Sequence, residues 1–303
     1  MTQENRPSGP PEPVDDESGG QPVLYETAED GTVAIVTLHR PGVLNAINGA
    51  LTEALKEALA KADADDDVRV VIIRGAGRAF SAGGDITESS RRILANDDSL
   101  ERATPGAAHI TVWELGKPVI AAVHGYAIGL AFELAGVCDF TVLADDAKVG
   151  EIQIRHGYGP PVLMTPYVVT LKRAKEILLL GDMVDAQEAL AMGLVNRVVP
   201  ADKVMDEALS IARRISALPA ATVRMNKALI NRSYEVGGFR TALNYRDDEA
   251  FADLWASSQQ DDETRERLQV LQDRGWEAFR NERDARYHGR TAEEEAAARE
   301  SGG

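Results

Sequence analysis

Residues 68–74, V-R-V-V-I-I-R, constrain this chain more than any other stretch. A strand with one wet face alternates polar and apolar residues. A strand apolar on both faces must be covered on both sides, as in a parallel sheet between helical layers. Residues 33–39 (V-A-I-V-T-L-H), 119–123, 140–143 and 195–199 are further short apolar runs. Between them, residues 48–63 set Leu51, Leu55 and Leu59 four apart on one helix face, with Asn48 as N-cap. Residues 130–137 are apolar enough for a buried helix. Strands and helices alternate up to Pro200, and helices alone follow over 201–217, 221–234, 239–258 and 262–283. The pattern is that of an α/β fold. The last two helices keep Leu243, Phe251, Leu254, Trp255, Leu268, Leu271, Trp276 and Phe279 among many charges. They cover either their own domain or another subunit.

The two ends read differently. Residues 1–21 hold Pro7, Pro10, Pro11, Pro13 and an Asp15-Asp16-Glu17 run. They have too little apolar surface to offset their ordering entropy, and we expect a disordered arm. Residues 290–303 are rich in Glu and Ala and form a tail. The expected division is an arm (1–21), a core (22–200), a helical region (201–289) and a tail (290–303).

Composition excludes several functions. The formal net charge is -16, which argues against nucleic acid and against an anionic membrane surface as partners. No run approaches the roughly 18 apolar residues of a membrane span. The first twenty residues lack the features of a signal peptide. Cys138 is the single cysteine, in an apolar run, and reads as a small buried hydrophobe. The expectation is a soluble, cytoplasmic protein. The five histidines show no metal-binding spacing, and we expect no metal. There is no P-loop, no full dinucleotide fingerprint and no nucleophile elbow.

Two glycine-bearing turns remain. One is Ala79-Phe80-Ser81-Ala82-Gly83-Gly84-Asp85, after the strand at 68–74. The other runs from His124 to Glu133 and opens the buried helix. Backbone N–H groups of two such turns, aimed at one point, would stabilise a developing oxyanion, and a helix N-terminus adds to the effect. Glu133, among apolar neighbours, would have a raised pKa suited to proton transfer. Spacing alone leaves the alternative open, in which the turns only connect and Glu133 is an exposed helix residue.

As motifs, the turns resemble the crotonase (enoyl-CoA hydratase/isomerase) superfamily. Arg40-Pro41 with Leu44-Asn45-Ala46 resembles its early R-P-x-x-x-N-A segment. Ala79–Asp85 resembles A-F-[CSA]-A-G-x-D, and Lys117–Gly125 resembles K-P-v-I-A-A-v-x-G. Gly129–Glu133 with Cys138-Asp139 resembles G-G-G-x-E-L…C-D, and Gly181 through Pro200 resembles the later G-L-V segment.

The resemblance spans roughly residues 22–285. It implies a spiral of repeated β-β-α units with a C-terminal helical trimerisation region, giving a homotrimer or a dimer of trimers. It also implies an acyl-CoA thioester substrate, no separate cofactor, and a place in fatty-acid metabolism. The thioester carbonyl would meet the N–H groups of Ala82 and Leu130. The Leu130 side chain crowds the pocket floor where the family has glycine.

Glu133 matches the first family glutamate. The second, in F-G-x-P-E, falls on Gln153 of Val149-Gly150-Glu151-Ile152-Gln153. Gln orients a water but carries no proton at neutral pH. In an extended stretch Glu151 would face the same way about 6–7 Å along. Catalytic candidates are therefore Glu133, Glu151 and Gln153. Substrate-binding candidates are Arg40, Ala79, Gly83, Gly84, Asp85, Ile86, Tyr126, Gly129, His156 and Tyr158. The family's early lysine is Gly42 here, which leaves CoA phosphate to Arg40 or to a base on the C-terminal helices. Residues 86–112 are expected to form a mobile lid over the acyl chain. Three functions fit: hydration of a 2-enoyl-CoA, a one-carboxylate reaction such as enoyl-CoA isomerisation, and non-catalytic acyl-CoA binding.

Overall fold

The computed structural model of the protein describes residues 20–96, 106–245 and 249–288. The arm to residue 19, the tail from 289 and the middle of the expected lid, 97–105, lie outside the described residues.

Six strands form the main sheet in the order β1 (Val23–Ala28), β2 (Val33–Leu38), β3 (Val70–Gly75), β4 (Val119–Val123), β6 (Phe140–Ala144) and β9 (Arg197–Val199). Strands β1 and β2 are antiparallel and every other pair is parallel. Val33 stands opposite Val70, Val71 opposite Val119, and Ile120 opposite Phe140. Val70, Val71, Ile72 and Ile73 are all fully buried, so both faces of β3 are covered, as its composition requires. Helix α1 (Gly49–Ala64) packs on β1 and β2, and helix Val204–Ser216 packs on β3, β4 and β6. The Asn48 carboxamide caps α1 by accepting the Leu51 N–H.

A second sheet joins β5 (Tyr126–Ile128), β7 (Lys148–Gly150) and β8 (Val184–Asp185). Two isolated bridges continue its direction, Ile47 to Gly84 and Ser81 to Ala127. Each turn of the chain thus places a strand in the main sheet, a short strand or bridge beside it, and then a helix. This is the expected spiral of β-β-α units.

Several expectations are corrected. The last strand is Arg197–Val199, since just ahead of it the Asn196 side chain, not a backbone carbonyl, accepts the Thr141 N–H at 2.8 Å. The helix expected at 239–258 is two, Phe239–Leu243 and Glu249–Gln260. The final helix runs Asp262–His288 and breaks at Gly275, where φ is 81° and ψ is 177°. The expected lid contains helices Ile86–Leu94 and Ala107–Glu114. The first of these is clamped by the final helix. Gln272 donates to Ser90 Oγ at 2.6 Å, and Arg265 donates to the carbonyls of Ile93 at 3.0 Å and Leu94 at 3.3 Å. These carbonyls lie at the helix end, where the guanidinium caps them, and that of Ile93 also accepts the Asn96 N–H at 3.1 Å.

Candidate active site

The two glycine turns pack edge to edge. Ser81 N–H donates to Tyr126 C=O at 2.9 Å and Ile128 N–H to Ser81 C=O at 3.3 Å. Gly83 has φ +91°, and a Cβ there would lie 2.2 Å from Ile128 O and 3.6 Å from the Leu130 nitrogen. Only glycine permits that conformation and that approach. Residues 83–84 are thereby held against 128–130.

The N–H groups left open differ from those expected. Ala82 N–H donates to Leu44 C=O at 2.9 Å and is already engaged. Gly84 forms a parallel bridge to Ile47 through its neighbours: Ile47 N–H donates to Gly83 C=O and Asp85 N–H to Ile47 C=O. Its own N–H therefore faces the other way. There Gly84 is exposed, with open space where a Cβ would stand. On the second turn, Leu130 is the first residue of helix α4 (Leu130–Val137). The first helical bond runs from Glu133 N–H to Gly129 C=O, which leaves the Leu130 N–H outside the ladder.

The family resemblance places the first donor at Ala82, which carries the motif alanine. The engagement of that N–H depends on the Leu44 carbonyl, far away in sequence.

Polar side chains hold these turns from behind. Asn45 is fully buried, and its Nδ2 donates to the carbonyls of Ala76, Ala79 and Phe80 while its Oδ1 accepts the Arg40 N–H. Ser81 Oγ donates to Asn45 C=O at 2.7 Å and accepts the Gly83 N–H at 3.1 Å. Arg40 donates to Ala46 C=O at 2.6 Å and pairs with Asp85 at 3.1 Å, and Asp85 caps helix Ile86–Leu94. Arg40, Ala79 and Asp85 thus build the site's frame, and Arg40 is already committed to a carboxylate. By contrast Arg78, which opens the first turn and which sequence reasoning passed over, is exposed and makes no ion pair among the described residues.

Glu133 is 0% exposed in the first turn of α4, and its Oε1 accepts the Val162 N–H at 3.1 Å. The reading of Glu133 as an exposed helix residue falls. Glu151 is 1% exposed. The chain does not continue extended after it but enters a 3-10 turn, Ile152–His156, which brings residues 151 and 153 together. Gln153 Nε2 donates to Glu151 Oε2, and Thr165 Oγ donates to Glu151 Oε1 at 3.4 Å. Burial pushes the Glu151 carboxyl up to about 8. Gln153 Oε1 is buried without a donor, 3.0 Å from where a Cβ on Gly129 would be. Gly129 has φ +53° and ψ -120°, a conformation open to glycine. The chain between Val162 and Thr165 therefore touches both carboxylates, and the Gln153 carboxamide reaches from Glu151 to the turn that opens α4.

The remaining candidates divide. Tyr126 is half-buried in β5, beside the first turn. Ile86 and Tyr158 pack into an apolar cluster with Leu268, Leu271 and Phe279 of the final helix. The Tyr158 hydroxyl is buried without a partner, and burial raises its pKa. His156 turns away from the glycine turns. It lies against Phe279 and Trp276, and its Nε2 accepts from Arg283 at 2.8 Å. Burial and the nearby arginines push its pKa well below the usual value. It anchors the final helix and lines no turn of the site. Burial pushes the Cys138 thiol up, as suits an inert side chain. Among the described residues no group of three or more His, Cys, Asp or Glu could hold a metal ion, and no helix is long and apolar enough to cross a membrane.

The sequence pattern of the enoyl-CoA hydratase/isomerase family matches residues 28–290. A probable enoyl-CoA hydratase of Mycobacterium bovis is 37% identical over 223 residues, covering 70% of this chain and 84% of its own. A crystal structure of an enoyl-CoA hydratase/isomerase from Xanthobacter autotrophicus Py2 superposes with a TM-score of 0.80 at 36% identity, covering 88% of this chain and 98% of that one. A monofunctional enoyl-CoA isomerase from Mycobacterium smegmatis superposes with a TM-score of 0.58 at 31% identity, covering 71% and 95%. The chain belongs to the enoyl-CoA hydratase/isomerase family.

Proposed function

We propose that this protein hydrates 2-enoyl-CoA thioesters. The observation that carries the reading is Glu133, a fully buried carboxyl one turn into the helix whose first N–H is left open beside Gly83. The thioester carbonyl accepts from the N–H groups of Gly84 and Leu130. They stabilise the enolate, because they are pre-aimed at the oxygen where charge develops. Glu133 takes a proton from a water whose oxygen bonds to the β-carbon. It then returns that proton to the α-carbon, so one carboxylate serves as base and acid. Gln153 Oε1, buried without a donor, accepts the water's other O–H and orients it.

With Gln153 at the second family glutamate, a second reading is also favoured, migration of a double bond from a 3-enoyl-CoA, which needs one base and no water. Purified protein offered crotonyl-CoA and, separately, a 3-enoyl-CoA separates the two. Loss of the conjugated enoyl absorbance supports hydration, and its appearance from the 3-enoyl thioester supports isomerisation. Tight acyl-CoA binding with neither reaction would sink both and leave a binding protein.

Arg78 suits CoA phosphate better than Arg40, since its guanidinium is exposed and uncommitted. We expect a homotrimer or a dimer of trimers. Met225, Leu229, Ile230 and Val236 leave an apolar face exposed on helix Ala220–Val236, of the kind that a second copy would cover. Light scattering on the purified chain tests this, and a monomer would overturn it.

A further inference from the structure

We infer that His109 is a positioning residue for the oxyanion turn, fixing the Leu130 N–H at which the thioester carbonyl is received. The inference rests on the role proposed above for Leu130.

His109 lies on helix Ala107–Glu114, which packs against α4. It is 1% exposed, and its Nε2 stands 2.8 Å from the Leu130 carbonyl oxygen. A carbonyl only accepts, so Nε2 carries the proton. Burial pushes the ring's pKa down to about 4, so it is neutral at physiological pH and Nδ1 is a bare acceptor. That Nδ1 has no partner in the structure.

The second anchor is on the other side of the same peptide. Gly129 N–H donates to Gly150 C=O at 2.8 Å. The Gly129–Leu130 peptide, which bears the proposed oxyanion donor, accepts the Glu133 N–H at its own carbonyl and is flanked by one hydrogen bond before it and one after it. Gly129 has the backbone freedom of glycine at φ +53°. Without the His109 donor, the first turn of α4 loses its tie to helix Ala107–Glu114, and the turn can shift so that the Leu130 N–H no longer points where negative charge develops. A donor displaced by a fraction of an ångström loses stabilisation of the transition state before it loses ground-state binding. An imidazole suits this task because its donor is rigid and, being buried, does not titrate near neutrality.

The test compares two substitutions in the full-length protein. His109→Leu removes the donor at similar bulk, and His109→Gln keeps an N–H at a similar reach. We expect His109→Leu to lower kcat for the enoyl-CoA substrate by about 10- to 100-fold with KM within about 3-fold, and His109→Gln to recover most of the loss. A second readout needs no turnover: an aryl-enoyl-CoA, whose absorbance moves to longer wavelength when its carbonyl is polarised. Wild-type protein should produce the shift, His109→Leu a smaller one at similar affinity, and His109→Gln an intermediate one. An unchanged shift and kcat in His109→Leu overturn the inference alone. So does equal loss in both variants, which would mean a packing role. A wild-type protein that produces no shift overturns the oxyanion role of Leu130 and this inference with it.

Discussion

Replacing Glu151 with Gln should make the protein more stable at alkaline pH. Glu151 is buried, its pKa raised from the ordinary 4.5 to about 8 by desolvation. The folded chain therefore binds this proton more tightly than the unfolded chain does. The contribution is whole below the unfolded pKa and is lost as the pH rises through the folded one. Each pH unit across that window removes ~1.4 kcal/mol, so the full span is worth on the order of 5 kcal/mol. Glu151→Gln has nearly the same shape, retains bonding to Gln153 and Thr165, and has no proton to lose. Urea unfolding of both proteins from about pH 5 to about pH 9 measures the difference. At the acid end the two should agree to within ~1 kcal/mol, and at the alkaline end the variant should be ahead by roughly 3–5 kcal/mol. Parallel pH profiles, with a constant gap, would refute the reasoning, since they would mean that Glu151 ionises alike in both states.

Three further outcomes are expected. Glu133→Gln, which keeps the size and the bond to Val162, should lower kcat by ~10²–10⁴-fold with little change in thioester affinity, and full activity in that variant would remove Glu133 from the mechanism. Gly83→Ala should cost at least ~2 kcal/mol or prevent folding, because its Cβ would stand 2.2 Å from Ile128 O in a strained conformation. An unchanged melting temperature would show that the two turns can part freely. Asn45→Ala leaves the buried carbonyls of Ala79 and Phe80 without this donor and should cost ~2–4 kcal/mol with a fall in kcat, so wild-type thermal stability would contradict its bracing role.

Some motif residues mark the fold and not the site. Lys117 and Asp139, both within recognisable motifs, do not enter the chemistry. Lys117 is buried and donates to the Ala62 carbonyl near the end of α1. Asp139 accepts the Val119 N–H at 2.7 Å and pairs with Lys227 at 2.7 Å, tying the start of β4 to helix Ala220–Val236. A motif reports that a position is constrained and does not say whether packing or chemistry constrains it. His109 shows the converse, since no motif marks it.

Local pattern alone located the strands β2, β3 and β4 to within two residues, and determined the capped helix after Asn48, the buried helix at 130–137 and the order of the two glycine turns. Each is decided within a few residues by side-chain periodicity, β-branching or a cap. The tertiary structure alone decided which N–H groups are open, because Ala82 is engaged by Leu44 and Gly84 is turned outward by Ile47. It also decided that Glu151 meets Gln153 across a 3-10 turn, that Arg40 serves Asp85, and that His156 faces the final helix. The reason is physical: the availability of a donor and the charge on a buried carboxyl depend on groups brought close from distant parts of the chain, and their spacing in sequence leaves no local trace.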